Sequence, residues 1–357
     1  MTFYKIYDRT NLKMVDSGVV RDYQIDLDYL TNNSSTLDIT ETSQGFKGDI
    51  LAISEGVNLI VLGVITAIDN TDLKISFRHM KELFNDNVLN VFRSLGTLNA
   101  TFDAVQGLRI LIEFAFVNTT DPMRRLPLDI RAFGTSPGAV WVEDSLAINL
   151  QEFIDWSFDH YNVYLDFDLD FLNNRIVVTI RKNEFVGHIL KDNIKLSKPE
   201  VDNNELPREN RAILVSKDTR AAVATYFLRQ DNTITNNPND PMRLMPPATK
   251  IVEWDEVDAI REGYTREDLA RSELEGNIYN HCILYKLAKR QTMVRPDRFN
   301  YGDKVTIIYE NREYESIFTG LRFRKNDPFV TCIFGKTRID FTDRMKLYNQ
   351  RRYARKI

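Results

Sequence analysis

The first third of the chain alternates. Tyr23 to Leu30 reads apolar, polar, apolar, polar, and Leu37-Asp38-Ile39-Thr40 resumes the pattern after the polar turn Asn32-Asn33-Ser34-Ser35. A period of two is the strand period, and it puts Asp26, Asp28 and Asp38 on solvent faces. Residues 1–95 are therefore expected to form a β-barrel domain. Lys81 to Phe92 predicts a short helix with Leu83, Phe84, Val88, Leu89 and Phe92 on one side.

The same pattern returns near the other end. Gly48-Asp49 leads into Ile50-Leu51-Ala52-Ile53, and Gly302-Asp303 leads into Lys304-Val305-Thr306-Ile307. Asp49 and Asp303 stand 254 positions apart, whereas Gly63 and Gly320, Phe77 and Phe334, and Phe84 and Phe341 each stand 257 apart. A three-residue insertion around Glu310 to Glu315 reconciles the offsets. Short β-branched runs bounded by Gly, Asn, Asp and Pro suit a small antiparallel barrel. Residues 263–343 are thus expected to be a helix followed by a second barrel related to the first. The helix is capped at Thr265, runs to about Tyr279 and turns Leu269, Leu274 and Ile278 inward.

Between the two lies a different texture. Residues 96–185 predict an α+β domain. It holds the densely apolar run Leu108 to Phe116 and a helix opened by Asn149 with Glu152 three residues on, a capping-box spacing. Leu150, Phe153, Ile154 and Phe158 form its buried stripe. The hairpin Tyr161 to Lys182, turning at Asn173-Asn174, sets Leu172 against Arg175, Asp170 against Val177, Asp168 against Thr179 and Asp166 against Arg181. Phe167, Leu169 and Phe171 then share the buried face with Ile176, Val178 and Ile180. Residues 186–262 read as a β domain. Its long Asn- and Pro-rich loop, Asp231 to Pro247, is of a length that is usually functional or mobile. The fold class is α+β and β-rich, with two similar small β-barrels bracketing α+β insert domains.

Composition narrows the function. With 357 residues, 43% of them hydrophobic, the chain supports several cored domains. A net charge of −4 leaves no global footprint for nucleic acid. Two cysteines, Cys282 and Cys332, each in a predicted strand, leave disulfide scaffolding aside and fit cytosolic synthesis; whether they bond is open. The longest apolar stretch, Val57 to Ile68, falls short of the ~20 residues a membrane span requires.

Chemistry is sparse. Nucleophile-elbow, phosphate-loop and zinc-protease motifs are missing, and His79, His160, His188 and His281 lack metal-ligand spacing, which suits isolated surface or interface histidines. Asp166, Asp168 and Asp170 form an acidic stripe, ~7 Å apart along a strand. A flat stripe cannot converge six oxygens on calcium; it suits a solvated face, or the wall of an aqueous passage that repels phosphate. The C-terminal residues 344–357 carry Arg344, Lys346, Arg351, Arg352, Arg355 and Lys356 with no acid, which suits docking on an acidic partner, contact with phosphate, or a frayed, soluble terminus. No catalytic residue, metal or cofactor is expected.

Two similar barrels around an α+β insert, with the helix Arg266 to Gly276 before the second barrel and the closing run Phe334-Gly335-Lys336-Thr337-Arg338-Ile339-Asp340-Phe341-Thr342-Asp343, resemble the tail hub of long-tailed bacteriophages. This is the structural N-terminal part of the tail-associated lysin or prophage tail endopeptidase group, akin to the baseplate hub of contractile phages. The resemblance is one of architecture over essentially the whole chain. It implies a homotrimer whose six barrels match the sixfold tail tube or distal tail protein and surround or close a channel for DNA. Further implied partners are a tape-measure protein, a fibre or a receptor-binding protein, and the implied location is the virion tail tip, after synthesis in the bacterial cytoplasm. Relatives often carry a C-terminal hydrolase; ending at Ile357, this chain is expected to be a hub without one. A carbohydrate-binding adhesin and a cell-wall hydrolase are the alternatives.

Overall fold

The computed structural model describes residues 1–89, 101–135, 138–140, 147–183, 187–191, 200–202, 209–275, 277–279, 281–289, 299–309 and 312–336. The basic segment from Arg344 to Lys356 lies outside them.

Barrel one is made of β1 (Thr2–Tyr7), β2 (Met14–Asp26), β3 (Ser35–Ile39), β4 (Ile50–Glu55), β5 (Asn58–Asp69) and β6 (Lys74–His79). The order is β1-β4-β5-β6-β3-β2, and pairing of β1 with β2 closes it. Alternation drives the closure: Ile6, Leu37, Leu51, Ile53, Ile75 and Phe77 point inward and are fully buried. Asp28 departs from the alternation. It is buried, 3.8 Å from the Arg322 guanidinium, because a second barrel covers this end of β2. The helix expected over Lys81 to Phe92 is instead a single tight turn, Met80–Phe84. Its chain then extends as β7 (Asn87–Leu89), where Val88 is buried and Leu89 is half exposed. Phe92 lies outside the described residues.

The α+β domain follows. Short strand β8 (Thr101–Asp103) pairs with β10 (Gly138–Val140), and β7 pairs with β11 (Ala147–Asn149). The apolar run from Leu108 is helical. Helix α1 (Ala104–Ile112) is capped by the Asp103 carboxylate, which accepts from the Val105 and Gln106 N–H groups, and it widens into a π-turn at Glu113–Val117. Asn149 caps α2 (Leu150–Tyr161) by accepting from the Glu152 N–H at 3.1 Å, and Leu150, Phe153, Ile154 and Phe158 are fully buried. These stripes cover a three-stranded sheet in which β13 (Arg175–Lys182) lies between β12 (Val163–Asp170), antiparallel, and β9 (Leu128–Phe133), parallel.

The β12–β13 register is shifted by two from the expected one: Asp170 faces Arg175, Asp168 faces Val177, and Asp166 faces Thr179. A shift of two keeps every side chain on its face, so Leu169 and Phe167 still accompany Ile176 and Val178. Asp170 causes the shift. Its carboxylate accepts from the Leu172 and Asn173 N–H groups and from Asn173 Nδ2, and Asn174 takes φ 51°, so four residues form the turn. Phe171 therefore leaves the core and lies 5.0 Å from the Tyr7 ring.

Strands β14 (His188–Lys191) and β15 (Glu200–Asp202) come next. A four-stranded sheet follows, ordered β18-β17-β16-β19 from β16 (Arg211–Ser216), β17 (Ala222–Leu228), β18 (Ile234–Thr235) and β19 (Thr249–Trp254). Two helices flank it: α3 (Glu256–Glu262), capped by Asp255 and stopped by Gly263, and α4 (Arg266–Leu274), opened by a Thr265/Asp268 capping box and ending short of the expected Tyr279 because Glu275 leaves the helical region at ψ 140°. Sequence patterning passed over α3. The long loop is tied down: Arg229 Nε lies 3.2 Å from Asp240, and the Arg243 guanidinium lies 3.6 Å above the Phe227 ring.

Barrel two uses β20 (Cys282–Ala288), β21 (Lys304–Tyr309), β22 (Arg312–Arg324) and β23 (Phe329–Phe334). Strand β14 pairs with β21, and β15 pairs with β20. The six strands run β14-β21-β22-β23-β20-β15, the order of barrel one position for position, except that β14 joins β21 in parallel where β1 joins β4 antiparallel. Two strands of the stretch 186–262 thus belong with the second barrel, and the four-stranded sheet is an excursion from it. Cys282 and Cys332 are not joined by a disulfide, and burial pushes the Cys332 thiol well up.

Candidate assembly interface

The duplication is visible atom by atom at the Gly-Asp turns. The Gly48 N–H donates to the Ile65 carbonyl at 2.8 Å, and the Ile65 N–H returns to the Asp49 carbonyl at 2.9 Å. In barrel two, Gly302 donates to Phe318 at 2.8 Å and Phe318 returns to Asp303 at 2.8 Å. Each aspartate carboxylate accepts the N–H three residues upstream, Phe46 or Asn300, at 2.8 Å. Both glycines hold φ near +90°, at 95° and 82°, which other residues adopt only with strain.

This geometry corrects the expected alignment. The β4–β5 and β21–β22 turns each span two residues, joining Glu55 to Asn58 and Tyr309 to Arg312, so no insertion lies around Glu310 to Glu315. Ile65 corresponds to Phe318, and Ala67, not Gly63, corresponds to Gly320; in both barrels a bulge separates these two positions. Phe77 and Phe334 pair with Ile65 and Phe318 and keep their correspondence. The extra residues lengthen the β22–β23 hairpin.

The two barrels meet edge to edge. Gln24, Ile25 and Asp26 at the end of β2 pair with Arg324, Phe323 and Arg322 of β22. The Leu27 and Tyr29 N–H groups extend the ladder to the Leu321 and Thr319 carbonyls at 2.8 and 2.9 Å. Arg322 Nε lies 2.8 Å from the Asp26 carboxylate. Gly320 permits the approach: a Cβ there would stand 2.7 Å from Asp28 Cα. The joint is heterologous, since barrel one contributes β2 and barrel two contributes β22.

Both barrels also moor on α2 through a lysine two residues past their last strand. Lys81, 1% exposed, donates to Asp155 Oδ1 at 2.5 Å and to the Tyr29 carbonyl. Lys336, 4% exposed, donates to the Asp159 carbonyl, with the Asp159 carboxylate 3.8 Å away. Asp155 and Asp159 lie one helical turn apart on one face. Burial raises the Asp155 carboxyl, and the Lys81 charge opposes that rise. Tyr29 sits where three units meet. Its hydroxyl accepts from the Leu165 N–H at 2.9 Å, and its ring lies 4.7 Å from both Phe158 and Tyr301. Nothing in the local sequence marks these lysines; the i, i+4 acidic pair beside the apolar stripe of α2 was the available signal.

The expected chemical sites look different in three dimensions. Asp166 and Asp168 are exposed, each accepting from the N–H of the following residue at 2.9 and 2.8 Å. Asp170 is held below its ordinary pKa by Asn173 and serves the turn. Among the described residues no group of three or more His, Cys, Asp or Glu could hold a metal ion, and no helix is long and apolar enough to cross a membrane. Three histidines are partly buried rather than on the surface. Burial lowers His79 to about 3, with the Lys81 charge adding to it, and lowers His281 to about 4. His160 is also lowered by burial, and its Nδ1 donates to the Trp156 carbonyl at 3.0 Å. A cleft of about 360 Å³ separates the four-stranded sheet from α2 and barrel two; Glu275, Gln230, Lys304 and Glu315 line it. Burial pushes Glu275 up to about 7.

Solved structures share this fold. The chain aligns over 94% of its length, and over 99% of the other chain, with a protein of the phage P2 baseplate in its activated conformation with Ca, at TM-score 0.51 and 12% identity. It aligns over 98%, and 99% of the other chain, with prophage tail protein gp18 of Listeria monocytogenes, at TM-score 0.51 and 12% identity. The 43 kDa tail protein of prophage MuSo2 from Shewanella oneidensis matches at TM-score 0.51 and 13% identity, covering 93% and 95%. The fold is that of phage baseplate and prophage tail proteins. No family model and no curated protein matches the sequence.

Proposed function

We propose that this chain is a structural, non-catalytic hub at the distal end of a phage tail. It assembles as a homotrimer whose six barrels form a ring on a sixfold tail tube or distal tail protein, around the channel through which DNA leaves. One observation carries the reading: two barrels of the same strand order, with matching Gly-Asp turns, are joined head to tail within one chain. A heterologous joint between sibling modules propagates to a ring when the rotation closes. Three copies of a duplicated module then present six similar surfaces.

The exposed carboxylates of Asp166 and Asp168 suit a wetted wall that does not hold phosphate. The basic segment containing Arg344, Lys346, Arg351, Arg352, Arg355 and Lys356 suits an acidic partner in the tail, such as a fibre, a receptor-binding protein or the tape-measure protein. Electron microscopy of particles carrying a tagged chain tests the placement. Label confined to the distal tail end supports it, and label along the tube or on the head overturns it.

A further inference from the structure

Helix α3 is turned the wrong way for a surface helix. Ala259 enters the core at 3% exposure, whereas Val257 and Ile260 stand 68% and 78% exposed, three residues apart on one face. An apolar face left in water marks a contact surface. It borders a groove of about 510 Å³ between α3 and the start of α4. Ile260 and the rings of Tyr226, Trp254 and Tyr264 supply its apolar lining, and Glu256 and Glu267 supply its carboxylates.

The groove holds unmet partners. Trp254 is 6% exposed, and its indole N–H has no hydrogen-bond partner among the described residues. A buried donor of this kind favours any acceptor brought to it. Glu256 is exposed and makes no ion pair among the described residues. Glu267 accepts from Arg271 at 2.8 Å, yet 56% of its side chain stays in water. The cation of the lining, Arg266, is drawn onto the Trp254 ring, 5.4 Å from its centre. This lining suits an extended segment that carries apolar side chains, positive charge and free backbone carbonyls.

Such a segment lies within reach on the same chain. Lys336 donates its N–H to the Tyr279 carbonyl at 2.8 Å and shares a cleft with Glu275, the residue that ends α4. Asn277 folds the connection back onto that helix end, its N–H donating to the Leu274 carbonyl at 3.2 Å. The groove lies at the opposite end of α4, about 14 Å away along nine helical residues. Residues 337–348 span up to ~40 Å when extended. The sequence there reads Arg344-Met345-Lys346-Leu347-Tyr348, and it continues basic to Lys356 without an acid.

We propose that the basic segment Arg344 to Lys356 docks in the α3–α4 groove of its own chain. Its apolar side chains cover Val257 and Ile260, its cations meet Glu256 and Glu267, and a backbone carbonyl accepts the Trp254 N–H. The segment that suits an acidic partner thus has one on the same chain, whether or not the ring forms.

The test places a photo-crosslinking side chain at position 348 of the full chain and maps its products by peptide mass. Capture of residues 254–267 is expected, in a band of single-chain mass on a denaturing gel. E256K/I260E should lower that capture at least ~10-fold, the loss of one charge pair and one aliphatic contact. D166N/D168N, which neutralises an exposed acidic pair elsewhere, should leave it unchanged, and thermal melts confirm that both variants fold. Capture by another copy gives a two-chain mass and overturns docking within the chain. Capture elsewhere, no capture, or capture that E256K/I260E does not lower overturns the groove. The ring is tested separately, by the mass of the assembly.

Discussion

Barrel one closes within its first 79 residues, whereas barrel two gathers strands from 188–202 and from 282–334. Their interiors and turns agree, and their surroundings do not. The Gly48 turn faces only the flexible Arg9 side chain, whose Nη1 would lie 3.3 Å from an added Cβ. The Gly302 turn is clamped. Asn162 Nδ2 donates to the Gly302 carbonyl at 3.0 Å, and Asn183 Nδ2 donates to the Tyr301 carbonyl and Asp303 Oδ1 at 2.8 and 2.7 Å. The shared hydrogen-bond pattern makes the barrel; the contacts unique to each copy fix how it is oriented. An internal duplication thus keeps one strand order and one turn while the surroundings of its two copies diverge.

The strongest way to break the comparison is at the moorings. Lys81→Met removes the buried cation of a pair whose Asp155 carboxylate is 28% exposed, and should cost about 2–3 kcal/mol in chemical denaturation. Lys336→Met should cost less, because its carboxylate stands 3.8 Å away. Equal costs would contradict this ranking.

The turns come next. Gly302→Ala imposes a positive-φ penalty of about 1–2 kcal/mol and drives a Cβ to 2.2 Å from Asn162 Oδ1. Gly48→Ala carries only the first cost. Melting of the two variants should separate by several degrees, with Gly302→Ala the lower.

Acid probes both barrels. His79 and His281 have folded pKa values of about 3 and about 4, below the ordinary 6.5, so the neutral rings favour the fold. Their contribution is complete above pH 6.5 and is lost as pH falls toward the folded values. Between pH 7 and 5 each forfeits on the order of 2 kcal/mol. Glu275 works in the opposite sense. Its carboxyl is raised from 4.5 to about 7, so it favours the fold increasingly as pH falls from 7 toward 4.5. Glu275→Gln should therefore steepen the loss of stability on acidification, and His281→Gln should flatten it. Unchanged slopes would show that these groups are not buried in solution.

The smallest effect belongs to the visible seam. Arg322→Ala removes the ion pair with Asp26 and the guanidinium 3.8 Å from the buried Asp28 carboxylate, and should cost about 1–2 kcal/mol, since the backbone ladder holds the joint.

Alternation made the first barrel legible, and the Gly-Asp repeat exposed the second, because both are local patterns with a fixed period. The cap at Asn149 and the stripe of α2 were equally local. The hairpin register was not, because Asp170 captured the turn by side-chain bonds that the spacing of Asn173-Asn174 does not announce. The helix expected after Lys81 failed because Val88 follows the pairing of β7 with β11, which lies about sixty residues downstream in sequence. Barrel two's first strands were hidden because β14 and β15 are short and reach β21 and β20 only across the four-stranded sheet. The lysine moorings were invisible for a similar reason: burial of a charge depends on partners that tertiary structure alone supplies.

The measurement closest to the central claim is the mass of the purified 357-residue chain in solution. Three chains of 41.6 kDa, in a single closed species, are predicted. A dimer, or an open series of ever larger assemblies, would contradict a threefold body built to sit on a sixfold one.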